Sequence, residues 1–203
     1  MELKRFDDIT GLIGYWNAAE PGKIAVTGGN VTSLEPGYDG IGGTMVARPD
    51  KTHEIMFDVN NTDPNSLIDA CPAMYDDFSA SRLSGLIWSG ANIDTTTGQT
   101  YVVLIEPVAG SWAWAYSGYQ STTNDVSMQE GSGIWRPRVG GSLLSSSISV
   151  GTNNPTAIVF RHGAGSNDAD LSVVNSSGLS EESLNNSAPV SYTHLRAHET
   201  KEE

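Results

Sequence analysis

The sequence predicts an all-β protein with the architecture of an antiparallel β-sandwich. Short apolar runs alternate with clusters of Gly, Ser, Thr and Asn, and the 22 glycines indicate many turns. Strand-length apolar runs recur at short intervals, whereas no helical 3.6-residue pattern lasts more than two turns. All-β sandwiches commonly use a chain of this length, 203 residues, for one core. We therefore expect one β-sandwich domain over residues 1–190, followed by a compositionally different tail over 191–203.

The first ninety residues predict only short strands, because turn signals interrupt them every few positions. These signals include Pro21-Gly22, Gly28-Gly29-Asn30, Pro36-Gly37 and Gly42-Gly43. A strand is expected in THEIMFDV, where Ile55, Phe57 and Val59 alternate with other residues. The polar stretch that follows predicts a long connection, and Cys71 within it is interpreted as a small buried residue.

The second half of the chain predicts longer strands. The continuous apolar run from Tyr101 to Ile105 is typical of a strand that is covered on both faces. Arg136 and Arg138 flank Pro137, which cannot donate to a ladder, so we expect a solvated edge strand there. The sequence AIVFRHGAGSNDADLSVV places two apolar runs around a Gly-Ser-Asn-Asp turn and predicts a hairpin.

An aromatic stripe occurs in SWAWAYSGY. In a regular strand, Trp112, Trp114 and Tyr116 would share one face, with Tyr119 close by. Aromatic faces stack on the apolar face of a pyranose, so these four residues are the candidate glycan-binding set. The same stripe would serve equally well as the inner face of a sandwich. The sequence leaves both interpretations open.

The loop sequence FDVNNTDPN offers oxygen ligands of the kind that calcium prefers. Asp58, Asn60 and Asp63 are the candidate metal residues. The pattern departs from an EF-hand, which needs Gly at its sixth position and Glu at its twelfth. The alternative is a polar connection in which Asx side chains cap turns. No cofactor is required by the sequence, and Ca²⁺ is the one candidate.

Catalytic motifs are missing from the sequence, so we expect a protein that is not an enzyme. A Gly-x-Ser-x-Gly elbow does not occur, and neither does the Glu-x-Asp-x-x-Glu spacing of jelly-roll glycoside hydrolases. Asp168 and Asp170 alternate, but they follow a Gly-Ser-Asn turn in which Asp is an ordinary turn former.

Charge and hydropathy exclude two classes of partner. The formal net charge of −13 disfavours nucleic acid, because phosphate binding needs clustered Lys and Arg. No segment approaches the roughly 20 apolar residues that span a bilayer, so membrane insertion is not expected. The opening MELKRFDDITGLIGYW lacks the apolar core of a signal peptide.

Several short segments resemble the concanavalin A-like, laminin-G-like jelly-roll domains of phage and bacterial surface proteins. In chain order they are YWNAAE at 15–20, GGNVTSL at 28–34, GIGG at 40–43, ARP at 47–49, IMFD at 55–58, GQTYVVLIEPV and the late hairpin. Leu34 stands where the family usually has Trp, and Val59 replaces a Gly. The resemblance covers roughly residues 11–178 and implies a jelly-roll β-sandwich more strongly than a function. Family members continue with closing strands, which are expected to be missing here.

The resemblance implies a non-catalytic glycan-binding or structural module of a phage or prophage virion protein, such as a tail, fibre or surface appendage. Its partners would be a host-surface glycan or other virion subunits, and a homo-oligomer is compatible with it. The expected location is the virion or the extracellular surface. A bacterial surface lectin-like adhesion domain is the alternative, and a glycoside hydrolase remnant is the third interpretation.

The C-terminal sequence SYTHLRAHETKEE differs in composition from the rest of the chain. It resembles the translation of a sequencing-library adapter, which predicts that the tail is not native. His194 and His198 are four residues apart and would share a helix face, so a two-histidine metal site is an alternative. A solvated native terminus is another. The acidity of the chain belongs to its body, since the tail holds two basic and three acidic residues.

Overall fold

The computed structural model is all β, as the sequence predicts, and its sheets pair their strands antiparallel. The structure describes residues 9–20, 22–39, 43–47, 55–64, 67–68, 71–76, 86–88, 98–107, 114–118, 126–139, 142–163 and 169–184. No α-helix occurs in these ranges, and consequently none that could cross a membrane. The tail with His194 and His198 lies outside them.

The N-terminal half forms one larger sheet and two small strand pairs. The N-terminal sheet contains β2 (Ile24–Thr27), β3 (Asn30–Leu34), β5 (Met45–Ala47), β6 (Ile55–Met56), β9 (Tyr75–Asp76) and β10 (Leu86–Trp88). The small pairs are β1 (Gly14–Tyr15) with β4 (Tyr38–Asp39), and β7 (Leu67–Ile68) with β8 (Cys71–Pro72). Gly28 and Gly29 form the two-residue turn between β2 and β3 with φ values of 62° and 91°, a conformation that suits glycine.

Two four-stranded sheets make up the C-terminal half. Sheet A has the order β11 (Gln99–Ile105), β16 (Thr156–His162), β17 (Ala169–Asn175), β18 (Gly178–Ser183). Sheet B has the order β12 (Trp114–Gly118), β13 (Val126–Gly131), β14 (Ile134–Val139), β15 (Ser142–Leu143). After β11 the chain leaves sheet A, passes through all of sheet B and returns as β16 beside β11.

Sheets A and B share one hydrophobic core. Alternate residues of β16 and β17 are buried, which places one face of sheet A in the core. The cluster consists of Ile158, Phe160, Ala169, Leu171 and Val173 from sheet A with Met128, Trp135, Val139, Leu144 and Ile148 from sheet B and the segment after it. Val31, Leu34, Phe57 and Ala73 are also buried but lie outside this cluster.

The predicted late hairpin is confirmed. Strands β16 and β17 pair in continuous register, with Phe160 opposite Leu171 and His162 opposite Ala169. The Gly-Ser-Asn-Asp turn between them falls outside the described residues.

The strand from Tyr101 to Ile105 forms as predicted, but its expected burial on both faces is wrong. Val102 and Leu104 are 70% and 63% exposed, while Tyr101 and Ile105 pack against the core. The run is continuous in hydropathy, yet only one face of β11 meets sheet B. A continuous apolar run therefore did not distinguish a covered face from an open one.

The solvated edge strand predicted around Pro137 is also wrong. β14 lies between β13 and β15, and Arg136 and Arg138 are half-buried. The Pro137 carbonyl accepts a bond from the Leu144 amide at 2.8 Å. In a strand the N–H and C=O of one residue point to the same side, so the donor that Pro137 lacks would face Leu144, just beyond the two-residue β15, and the ladder with β13 is not interrupted.

Two smaller expectations in the N-terminal half are wrong. The strand predicted through Val59 ends at Met56, and Val59 is 62% exposed. It ends there because the Asp58 carboxylate binds the backbone amides that follow and turns the chain. Cys71 is exposed rather than buried, since it lies in the short β7–β8 pair outside both groups of buried residues.

Candidate functional site

Two of the four candidate aromatic residues, Trp114 and Tyr116, lie on β12, which is at the edge of sheet B among the described strands. Its ladder with β13 pairs Trp114 with Gln129 and Tyr116 with Met128, so the register shifts by one residue between the two aromatics. This irregularity is a β-bulge, a feature that is common at sheet edges and re-aims the residues around it. Trp112 and Tyr119 lie outside the described residues.

The bulge interrupts the regular alternation of side chains on which the predicted aromatic stripe depends. Residues directly opposite each other in an antiparallel ladder share a face. Tyr116 occupies the register position opposite Met128, which is fully buried in the core. Trp114 lies opposite Gln129, which follows Met128 on β13 and is therefore at a position of the opposite sheet face. The strict period-two alternation that would put these two aromatics on one face is therefore interrupted.

The row that begins at Trp114 continues across sheet B with polar residues. Gln129 pairs with Arg136 on β14, and the next row pairs Ser127 with Arg138. Trp135, Pro137 and Val139 alternate with the arginines and are buried. Arg136 and Arg138 are thus on the face of sheet B that points away from the shared core. We refer to the positions Trp114, Gln129, Arg136, Ser127 and Arg138 as the outer face of sheet B. Ser127 has no exposed surface and the Nε atom of Arg138 is buried, so this face is covered at the Ser127–Arg138 row.

This outer face combines chemistries that suit a sugar ligand. Glutamine presents both donors and acceptors, and guanidinium presents planar donors. Trp114, at the β12 position of the same row, is of the residue type that stacks on sugars. The sequence interpretation overlooked Gln129 and assigned the arginines to an edge. The alternation Trp135-Arg136-Pro137-Arg138 was the available signal, since it separates a core face from a polar one.

The candidate metal loop is held together by the carboxylate of Asp58. Its Oδ1 accepts a bond from the Asn60 amide at 2.9 Å, and its Oδ2 accepts bonds from the Thr62 amide, the Thr62 hydroxyl and the Asp63 amide at 2.5, 2.9 and 2.8 Å. These bonds, led by that of the Asn60 amide, lower the pKa of Asp58 from 3.8 to about 2. Asp63 in turn accepts a bond from the Tyr75 hydroxyl at 2.8 Å.

This geometry gives Asp58 the role of a turn cap. Four donors already surround its carboxylate, so a cation would compete with them for its lone pairs. Asn60 contributes its backbone amide to the turn, and its side chain is exposed. In the described ranges, no three His, Cys, Asp or Glu residues cluster in a way that could hold a metal ion. Calcium binding at Asp58, Asn60 and Asp63 stays a prediction.

A buried histidine in sheet A escaped the sequence interpretation. His162 is 1% exposed, and its ring lies 6.0 and 6.1 Å from those of Tyr101 and Phe160. Its Nδ1 lies 2.8 Å from the Gly163 carbonyl, while its Nε2 has no partner in the described structure. The stacked contacts indicate that His162 extends the aromatic layer of the core.

The carboxylate considered for catalysis, Asp170, serves an ion pair. Arg161 Nε donates to Asp170 Oδ2 at 3.2 Å, and Arg161 Nη2 binds the same oxygen. The two residues are directly opposite each other on β16 and β17, where opposite charges stabilise a sheet. Asp168 lies outside the described residues.

Comparison with protein-family models, curated proteins and solved structures found no match. The sequence resemblance and the geometry of sheets A and B are therefore the grounds for a functional proposal.

Proposed function

We propose that this chain is a non-catalytic glycan-binding module of a phage or prophage virion protein, with a concanavalin A-like jelly-roll fold. The fold part of the proposal is supported by the two antiparallel sheets around one core. It is also supported by the path of the chain, in which β11 and β16 are neighbours although all of sheet B lies between them in sequence. Such long returns are typical of Greek-key sandwiches.

The observation that carries glycan binding is the row Trp114, Gln129, Arg136 on sheet B. A sugar needs an aromatic surface for its apolar face and hydrogen-bonding groups for its hydroxyls. The row places an aromatic residue and two hydrogen-bonding residues on three neighbouring strands. It spans about 10 Å from Trp114 on β12 to Arg136 on β14. Trp114 is the stacking residue in this proposal, and Gln129 and Arg136 bind hydroxyls. Tyr116 pairs with Met128 and is therefore at a core-face position of β12 by register.

A glycan array probed with the full chain tests this function, followed by titration of the glycans that bind. We expect Trp114→Ala to weaken binding by about 2 kcal/mol, or thirtyfold, as for other aromatic anchors. Trp114→Tyr keeps an aromatic face and is expected to retain most of the affinity. Urea unfolding of both variants separates a binding defect from a folding defect. An array without any bound glycan, or equal affinities for Trp114→Ala and the parent, would refute glycan binding.

The same array tests the calcium prediction when it is run with Ca²⁺ and again with a chelator. Because the Asp58 carboxylate is occupied by four donors, we expect identical binding in both conditions. Binding that disappears with the chelator would reassign the loop at Asp58, Asn60 and Asp63 as a metal site.

A structural role in the virion is the second candidate, and a different surface favours it. Sheet A exposes large apolar side chains on the face away from the core, including Val102, Leu104 and Leu179. A purely structural module would bind no glycan but would use this face. The array distinguishes the two roles.

A further inference from the structure

The outer face of sheet A is more apolar than a solvated sheet face requires. Val102, Leu104, Val174 and Leu179 are 70%, 63%, 45% and 61% exposed. The opposite face of the same strands holds the core residues, so the exposed set cannot belong to that core. In an antiparallel sheet with one solvated face, that face is normally polar.

The register of the sheet orders this face into three rows across the four strands. The first row is entirely apolar: Leu104, Ala157, Val174, Leu179. The second row is mixed: Val102, Val159, Ser172, Glu181. The third row is polar: Thr100, Arg161, Asp170, Ser183. The face therefore has an apolar end and a charged end.

The size and charge of the apolar end are those of an interaction surface. The four exposed side chains leave on the order of 400 Å² of apolar surface open, within the range of the largest and often functional patch on a soluble protein. The first two rows contain a single charged residue, Glu181, although the chain as a whole has a net charge of −13. Depletion of charge is typical of the centre of an interface.

We propose that a second copy of this chain covers the outer face of sheet A and forms a two-fold symmetric, sheet-on-sheet dimer. The symmetry axis runs along the strands, midway between β16 and β17. It places β16 of one copy over β17 of the other, and β11 over β18, with the sheets about 10 Å apart as in aligned packing. Rows stack on like rows in this arrangement.

The apolar first row is self-complementary under this axis, whereas the mixed second row places Val159 over Ser172 and, at the rim, Val102 over Glu181. Leu104 of each copy lies over Leu179 of the other, and Val174 lies over Ala157. Large side chains thus meet an apolar neighbour, and the small Ala157 leaves room for Val174. Displacing the axis by one strand leaves one edge strand of each sheet without a partner strand. With the axis midway between β16 and β17, every contact occurs twice, from each copy to the other, as in an isologous interface.

The charged row fits the same axis. Arg161 of each copy lies over Asp170 of the other, so two cross-copy ion pairs extend the pair that exists within each sheet. A basic partner protein is disfavoured, because the face carries only Glu181 beyond this balanced pair. The dimer face is smaller than a standard interface of about 800 Å² per partner, which predicts a weak, reversible association.

Salt should strengthen this dimer. Each copy carries a net charge of −13, and bringing two copies together is opposed by long-range repulsion. Salt screens that repulsion over about 8 Å at physiological ionic strength, whereas apolar contacts at the interface are not screened. Sedimentation velocity of the full chain over a range of concentrations should show a monomer–dimer equilibrium that shifts toward dimer as salt is added.

A matched pair of lysine variants tests the location of the interface. Val174→Lys places a charge in the apolar first row, over Ala157 of the other copy, and we expect its dimer dissociation constant to rise at least about tenfold. Val59→Lys makes the same substitution at a position that is 62% exposed and outside sheet A, and it should dimerise like the parent. Equal effects of the two variants would overturn the proposal.

A charge-swap experiment tests the symmetry. Arg161→Asp and Asp170→Arg each lose the internal ion pair and oppose like charges across the dimer, so each variant alone should be monomeric. Mixed together, they place opposite charges across the interface and should form a heterodimer. The double variant, Arg161→Asp with Asp170→Arg, should dimerise by itself.

Two results would overturn the second copy as the occupant. One is a parent chain that stays monomeric at all concentrations and salt levels, with Val174→Lys unfolding more easily than Val59→Lys; that would indicate coverage by another segment of the same chain. The other is a mixture of the two charge variants that fails to associate although both are folded.

Discussion

Glu182 joins sheet A to the segment that leaves sheet B, and its removal gives a quantitative test of the fold. Its Oε2 accepts bonds from the Ser146 hydroxyl at 3.0 Å, the Ser147 amide at 2.7 Å and the Ser147 hydroxyl at 3.1 Å. Ser146 is 5% exposed, and its hydroxyl also accepts a bond from the Ile148 amide at 2.9 Å. One carboxylate oxygen therefore satisfies three donors of a segment that does not continue the ladder of sheet B.

The expected cost of Glu182→Ala follows from these contacts. A hydrogen bond to a charged group contributes about 1.5–3 kcal/mol. Glu182 is half-buried, and three bonds to one oxygen are not additive, so we expect about 2 kcal/mol for the whole change. For a chain of this length that lowers the melting temperature by about 4–8 °C. Glu182→Gln keeps neutral acceptor capacity and should cost about half as much.

The adjacent Glu181 is the matched control. It is exposed on the opposite face of β18 and accepts one bond, from the Ser172 hydroxyl at 3.2 Å. Glu181→Ala removes the same charge, and its effect should stay within about 0.5 kcal/mol. Urea unfolding followed by tryptophan fluorescence measures all three variants. Equal losses for Glu181→Ala and Glu182→Ala would refute the reasoning, because they would show that only net charge matters.

Three further predictions concern the core, a close approach and a turn. Phe160→Ala, at a position with no exposed surface, should cost about 3–5 kcal/mol in urea unfolding. Gly37→Ala would place a Cβ against the Tyr15 ring, whose hydroxyl donates to Glu20 at 2.7 Å, so we expect a loss of about 1–2 kcal/mol that vanishes in a Tyr15→Ala background. Asp58, whose pKa is lowered from 3.8 to about 2, contributes stability that is present above pH 3.8 and is lost as the pH falls through 2. The Asp58→Asn variant should therefore show a shallower loss of stability than the parent over that pH window, and equal slopes would contradict the assignment.

The all-β class and the late hairpin could be predicted because both depend on local information. Period-two hydropathy and Gly-rich turns encode the pairing of Phe160 with Leu171 and the tight turn at Gly28-Gly29. The burial of a strand depends instead on what the rest of the chain places against it. Val102 and Leu104 have the hydropathy of core residues but lie on a face that sheet B does not reach.

The candidate site was harder to predict for the same reason. A bulge inserts one residue without any clear signal in the sequence WAY, and that residue changes the register of Tyr116 relative to Trp114. The polar neighbours of Trp114 come from other strands, so Gln129 and Arg136 join it only after pairing is known. The role of Asp58 was accessible in part, because Asx residues that cap turns were weighed as the alternative to a metal.

The return of the chain from β11 to β16 has a consequence for how the protein folds. The strands of sheet B, and those from β16 to β18, are meanders that close locally, whereas β11 and β16 pair residues roughly fifty to sixty positions apart. We therefore expect the meanders to form early and β11 to dock last, after the loop-closure entropy has been overcome. Until then the sequence YVVLI is an unpaired, uncharged β-forming segment. Slow docking of this one strand would make refolding yield fall with protein concentration, even when the finished sheet is stable.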